Sequence, residues 1–317
     1  MHITNDMIRT ELRPTGMLIR RVMPYFTENK FRELNKIMEK MKHKNLSPSL
    51  RMDEIYIPGE DGTELRVVIL RPKHTSDRPV PGLVWMHGGG YAIGVPEQDV
   101  SFAELFEEKH DCVIFMPDYT LSTKAPYPAA FNDCYSTLLY MKQHADEYGI
   151  NRDQIFTGGN SAGGGLCVAI NLKAKDTGDV NIAFTMPLYP MIDPRKTPSS
   201  EDNDAPVWNT KSNEEGWRLY LGGNEMEKYA APALESDLEG FPPTLTYVGT
   251  IDPFYDETMD LLHRLKETGI PVAHAEYAGC FHGFDIVASN SKVGRDARNF
   301  LGDNFELACR TRYARNC

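Results

Sequence analysis

The chain reads as an α/β fold, with a mostly parallel central sheet covered by helices on both faces. Three observations predict this. From Gly82 onward, short runs of apolar, β-capable residues alternate with longer segments of helical period. The runs around 82–86 and 244–249 are apolar enough to be strands buried on both faces. Several of these runs end in loops rich in glycine or carrying a serine, an acid or a histidine, and such folds place their chemistry in the loops beyond strand C-termini.

The elements follow in order. Residues 1 to about 45 are predicted helical. Thr27 can cap a helix whose Phe31, Leu34, Met38 and Met41 share one face, and Pro14 and Pro24 punctuate the stretch before it. Strands are expected near 53–57 and 64–70, joined by a hairpin-type turn over Gly59-Glu60-Asp61-Gly62. Further strands are expected near 82–86, 112–116, 154–157, 182–187, 243–248 and 271–277. Helices are expected near 128–145, 162–175, 255–268 and 291–312. The alternation breaks between about 192 and 228, which is polar and turn-rich before Trp208, Trp217, Tyr220 and Leu221. A structureless insertion of this length is unusual, so a packed segment is expected there.

Composition sets outer limits. The 317 residues are 41% hydrophobic and 25% charged, which is ordinary for a globular chain of one or two domains. Lys and Arg number 34 against 45 Asp and Glu, a net charge of −11 that argues against nucleic acid and anionic membranes as partners. No apolar run approaches the roughly 18 residues of a membrane span. The first residues carry an early acid and no apolar core of the secretory type, so a cytoplasmic location is expected. The six cysteines (112, 134, 167, 280, 309 and 317) lack metal-binding spacing and read as free thiols. No metal or cofactor motif is present. Cys280, two residues from His282, is expected to let thiol reagents block that loop.

The chemistry centres on Gly159-Asn160-Ser161-Ala162-Gly163, a G-x-S-x-G pattern between a predicted strand and a predicted helix. A tight strand-to-helix turn exposes the serine Oγ and needs small residues on either side. Five residues with two free positions occur in many unrelated chains, and a glycine turn can also cradle phosphate. No Gly-Lys-Ser/Thr follows here, which disfavours the phosphate reading. Upstream, His87-Gly88-Gly89-Gly90-Tyr91 follows a predicted strand directly. Three ordered glycines are entropically costly. Unobstructed backbone N–H donors for an oxyanion offset that cost, with the N–H of Ala162 as a further donor. A serine nucleophile needs a base and an orienting acid. Downstream, His282 lies in the loop after the 271–277 strand, whereas His274 falls within that strand and His263 within a helix. Asp252 lies just past the 243–248 strand, while Asp256 and Glu257 fit the first turn of the next helix.

Taken together, the pattern resembles the hormone-sensitive-lipase-like esterases (bacterial family IV) of the α/β-hydrolase superfamily. The matching segments are 87–91, 117–119 with 126–130, 159–164, 229–232, 252–256 and 277–284. The resemblance implies an α/β-hydrolase fold with a helical cap. It assigns residues 1–45 to an N-terminal cap segment and 46–317 to the catalytic domain, with a second cap segment inserted at about 192–228. It implies a Ser161, His282, Asp252 triad, an oxyanion hole from Gly89, Gly90 and Ala162 with Gly88 shaping the loop, and no cofactor. The expected partner is a small-molecule ester of short to medium acyl chain, and the resemblance also allows a homodimer. Tyr91, Trp208 and Trp217 are candidates for substrate contact, although the tryptophans read first as anchors of the cap to the core. Two departures stand out: Asn160 where the family commonly has Asp, and Thr120 where it often has Arg. The same triad also serves amidases or peptidases, lactonases and thioesterases. A ligand receptor on this scaffold lacks the histidine base, which His282 supplies here.

Overall fold

The computed structural model describes residues 2–59, 62–74 and 78–316. Two helices open the chain, α1 (Arg13–Val22) and α2 (Glu28–Met38). Pro14 sits in the first turn of α1, where no intrahelical N–H is needed. Thr27 caps α2, its hydroxyl accepting from Lys30 N, and Phe31 is the buried member of the predicted face. Residues 2–9 are not helical, against expectation. Their backbone is held from outside: Ile3 N donates to Asp204 at 2.6 Å and Arg9 N to Gly279 O at 2.8 Å.

The strands are β1 (Leu50–Pro58), β2 (Glu64–Pro72), β3 (Val80–Met86), β4 (Val113–Pro117), β5 (Ile150–Asn160), β6 (Phe184–Leu188), β7 (Thr244–Gly249) and β8 (Val272–Tyr277). Between and after them lie α3 (Val100–Lys109), α4 (Ala129–Gln143), α5 (Ala162–Thr177), α6 (Thr210–Leu221), α7 (Tyr255–Glu267), α8 (Phe284–Val287) and α9 (Lys292–Thr311). The sequence pattern does not predict helices α3 and α8. In α3 the apolar residues Val100, Phe102, Ala103, Leu105 and Phe106 are all buried, so its pattern lacks a clean amphipathic period. α8 spans only 4 residues. The predicted 59–62 turn includes residues 60 and 61, which lie outside the described residues, as does Cys317. The flanking strands pair antiparallel up to Pro58 opposite Glu64.

One sheet of eight strands results, in the order β1-β2-β4-β3-β5-β6-β7-β8. β1, β2 and β4 pair antiparallel in succession, and every pairing from β4 to β8 is parallel. Period-two alternation sorts side chains between the two faces. Val67, Ile69, Val84 and Met86 join the cluster containing Phe131 and Leu138 of α4 and Leu166 and Ile170 of α5. Val68, Leu70, Leu83 and Trp85 join the opposite cluster with Phe106 of α3 and Leu301 and Phe305 of α9. The strand order reverses at β3, which has β4 on one side and β5 on the other. Loops leaving β3 and β5 therefore part to opposite faces and open a crevice between their C-terminal ends.

Above that crevice, the N-terminal segment and the 192–228 stretch pack on each other. Phe26 N donates to Ser212 Oγ at 3.0 Å and Asn209 Nδ2 to Pro24 O at 2.6 Å. Phe26 and Phe31 stack at 5.1 Å, and both rings pack on Trp208. Asn35 of α2 ties this layer to the loop after β3 by donating to Ala92 O at 2.9 Å.

Candidate active site

Ser161 stands at the junction of β5 and α5 with φ 56° and ψ −120°. A non-glycine residue in that region carries strain of about 1–3 kcal/mol and persists only where its surroundings enforce it. They do so here: Ser161 N donates to Leu188 O at 3.0 Å, and Ser161 O accepts from Gly165 N and Met191 N at 2.9 and 3.0 Å. A Cβ on Gly163 would collide with Met86 O, so this glycine lets α5 start directly against β3.

Three loops converge on the serine. His282 Nε2 lies 2.8 Å from Ser161 Oγ. His282 Nδ1 lies 2.8 Å from Asp252 Oδ2, and Asp252 Oδ1 accepts from Phe254 N at 2.9 Å. All three side chains are buried. Nδ1 thus faces the carboxyl group and Nε2 the serine hydroxyl. Phe254 and Tyr189 meet the imidazole edge-on at 4.9 and 5.1 Å, so the ring is clamped between aromatics. Neither contact was evident in the sequence, because the two aromatics come from different loops, one after β7 and one after β6. His274 is half-buried on β8 and His263 exposed on α7, both away from this group. Asp256 and Glu257 occupy the first turn of α7 as expected. Glu257 also holds the loop after β6, since its buried carboxyl group accepts from Ile192 N and Asp193 N at 2.7 and 3.2 Å. Burial pushes its pKa well above the usual carboxylate range.

The loop 87–91 lies beside the serine. Gly89 and Gly90 have φ 127° and 58°, values that favour glycine. Among the described residues no protein acceptor takes the N–H of Gly89 or Gly90, and the N–H of Ala162 opens α5, where no intrahelical acceptor exists. His87 anchors the loop. It stacks on Tyr119 at 4.2 Å, donates from Nδ1 to Gly88 O at 2.8 Å, and accepts the Tyr119 hydroxyl at its carbonyl. Burial lowers its pKa to about 4, so it is neutral at pH 7. Tyr91 donates from its hydroxyl to Met191 O at 2.6 Å and stacks on Tyr220 at 3.8 Å, with Trp217 beside both rings. Those contacts brace the loop from behind. Trp208 is placed differently: its indole lies directly against Gly90 and 6.4 Å from the His282 ring.

The two sequence departures have visible partners. Asn160 Nδ2 donates to Asp99 Oδ2 at 2.5 Å, where Trp85 Nε1 also donates at 2.9 Å. Asp99 is buried, and burial raises its pKa to about 7 against the hydrogen bonds from Trp85 and Asn160. Thr120 donates its backbone N–H to Asp133 Oδ2 at 2.7 Å, and the neighbouring Asp118 pairs with Lys42 at 2.8 Å and Arg66 at 3.3 Å. The expectation for Cys280 fails on accessibility: it is fully buried, and burial pushes its thiol up to about 12, so thiolate chemistry is suppressed. No cluster of metal-ligating side chains and no helix long and apolar enough to cross a membrane occurs among the described residues.

Comparison with known proteins agrees with this picture. The family described as alpha/beta hydrolase fold matches residues 83–286. The structure of a bacterial heroin esterase is similar with a TM-score of 0.88 and 30% identity, over 98% of this chain and 100% of that one. Esterase LipI of Mycobacterium tuberculosis is 26% identical over 257 residues, 80% of each chain. An arylesterase of Saccharolobus solfataricus is 26% identical, over 82% of this chain and 86% of its own. The extent of these matches, falling on a strained serine elbow at the sheet's crevice, means that the chain belongs to the alpha/beta-hydrolase fold family, among its hormone-sensitive-lipase-like esterases.

Proposed function

We propose that the protein hydrolyses carboxylic esters of short to medium acyl chain through an acyl-enzyme on Ser161. The observation that carries this reading is the continuous hydrogen-bonded line Ser161 Oγ, His282 Nε2, His282 Nδ1, Asp252 Oδ2, with both contacts at 2.8 Å. Ser161 Oγ attacks the ester carbonyl carbon as His282 Nε2 takes its proton. Asp252 keeps the imidazole in the right tautomer and stabilises the imidazolium. The carbonyl oxygen becomes an oxyanion and accepts from the N–H groups of Gly89, Gly90 and Ala162, with Gly88 shaping the loop. Collapse breaks the bond to the alcohol oxygen, which leaves with the proton from His282. Water, deprotonated by His282, then cleaves the acyl-serine and regenerates the hydroxyl. The names of the relatives, heroin esterase and arylesterase among them, support an ester as the bond cleaved.

Residues 1–45 and 192–228 act in this reading as the two halves of a cap, with Trp208 limiting the space beside Gly90. Ser161→Ala should lower kcat on p-nitrophenyl acetate by several orders of magnitude and abolish labelling by a fluorophosphonate probe. Near-full activity in that variant would refute the assignment. A chain-length series should favour acetyl to hexanoyl esters over long acyl chains, and p-nitroanilides should be cleaved more slowly than the matching esters. Faster anilide cleavage would mark an amidase instead.

A further inference from the structure

Helix α1 turns its apolar side outward. Met17, Leu18 and Val22 are 50%, 62% and 68% exposed, and Gly16 is the only residue of the helix that is fully buried. Gly16 is the contact point: a Cβ there would lie 3.0 Å from Phe281 and 3.1 Å from Pro206. The helix therefore rests on the residue beside His282 through its smallest side chain and presents its largest apolar ones to solvent. Tyr25, also exposed, follows them, its ring flanked by the ammonium groups of Lys30 and Lys211 at 4.6 and 5.1 Å. Ile37 on α2 is 58% exposed.

Charge is distributed as unevenly as hydrophobicity. Residues 1–45 hold ten Lys and Arg against five Asp and Glu, a net +5; the other 272 residues hold 24 against 40, a net −16. Arg21, Lys36, Lys40 and Lys44 of the basic segment are exposed, and none is paired with a described acid. The whole-chain charge of −11 thus conceals a cationic layer over an anionic body. Charges further away than about 8–10 Å are screened at physiological salt, so a surface that touches this layer senses the segment's own cations together with its rim, where Lys196 and Lys211 stand among Asp202, Asp204 and Glu214 beside Tyr25.

We propose that the outer face of the N-terminal segment docks on an anionic lipid–water interface. Met17, Leu18, Val22 and Tyr25 enter the acyl boundary while Arg21, Lys36, Lys40 and Lys44 engage the headgroups. Arg21 lies within the apolar stripe of α1, and Lys36, Lys40 and Lys44 outnumber the exposed Glu33 and Glu39 along α2 and the turns after it. An apolar helical stripe on a segment with excess cations is the pattern such a surface recognises. A two-fold contact between copies would set like-charged segments against each other, which disfavours a second copy as the occupant.

The experiment is flotation of the full chain with vesicles of equal parts phosphatidylglycerol and phosphatidylcholine, and with phosphatidylcholine alone. Wild type should float with the anionic vesicles at low salt, and high salt should weaken this. Leu18→Ser/Val22→Ser should lose partitioning by roughly tenfold or more, and Arg21→Glu/Lys36→Glu/Lys40→Glu should abolish the preference for anionic vesicles. Turnover of soluble p-nitrophenyl acetate should remain at the wild-type level in both variants, which verifies their folding. Failure of wild type to float with anionic vesicles overturns the proposal, as does flotation of both variants like wild type. So does a concentration-dependent dimer that Leu18→Ser/Val22→Ser dissolves, since the face would then belong to a second copy.

Discussion

The pair Asp99–Asn160 sits one residue from the serine and links three chain segments. Asn160 ends β5, Asp99 precedes α3, and Trp85 of β3 donates to the same carboxylate oxygen. Asp99 binds its proton more tightly in the folded chain, with a pKa of about 7 against an ordinary 3.8. The folded state therefore holds more protons than the unfolded one across that interval, and stability from this group falls as pH rises from about 4 through about 7. Asp99→Asn should remove that loss: its melting temperature relative to wild type should climb between pH 4 and 7 and level off above. A difference that stays flat across this range would contradict the assignment. Asn160→Asp should do the reverse. It places two carboxylates within hydrogen-bond distance, where one must keep a proton. Its melting temperature and kcat/KM should fall as pH rises above 7, and Asp99→Asn added to it should restore both. Asn160 was legible in the sequence as a departure, but its partner, 61 residues away, was not.

At the scale of elements, the layer over the site depends on aromatic packing between segments distant in sequence. Phe31 of α2 is fully buried, stacked on Phe26 and in contact with Trp208, which in turn covers Gly90. Phe31→Ala should cost about 3–5 kcal/mol as a cavity and should loosen Trp208. The expected kinetic signature is a raised KM for p-nitrophenyl esters with kcat nearly unchanged, because Ser161, His282 and Asp252 lie on other elements. An equal fall in kcat would mean that the layer also positions the reacting groups. The predicted face of α2 was correct because amphipathic period is a local property. The form of residues 2–9 was not, because their backbone is fixed by Asp204 and Gly279, which no local pattern encodes.

For the whole molecule, Arg66 is the clamp. Its buried guanidinium reaches Glu54 on β1 at 3.0 Å, Asp118 after β4 at 3.3 Å, and Glu97 in the turn before α3. Lys42, beyond α2, shares Asp118. This network joins the antiparallel edge of the sheet to the N-terminal segment. Glu97 is almost fully buried, and Arg66 is its cationic partner there. Arg66→Ala should lose about 3–5 kcal/mol in urea unfolding. A loss below about 1 kcal/mol would show that the network behaves like an exposed pair.

The sequence by itself determined the α/β class, the eight strands to within a few residues, and the order serine, acid, histidine, each just beyond a strand. The class and the strands follow from local hydrophobic period and from the glycines that sharp turns require, and the candidate residues from their places just beyond strands together with the resemblance to known esterases. Tertiary structure alone decided which groups meet: Asn160 with Asp99, Glu257 with the loop after β6, Trp208 with Gly90 and His282, and Arg66 with three carboxylates. It also decided that Cys280 is shut away and that α1 shows its apolar side to solvent. Such pairings depend on how sheet twist and strand order fold distant loops onto one crevice, and neither is written in the neighbours of any one residue.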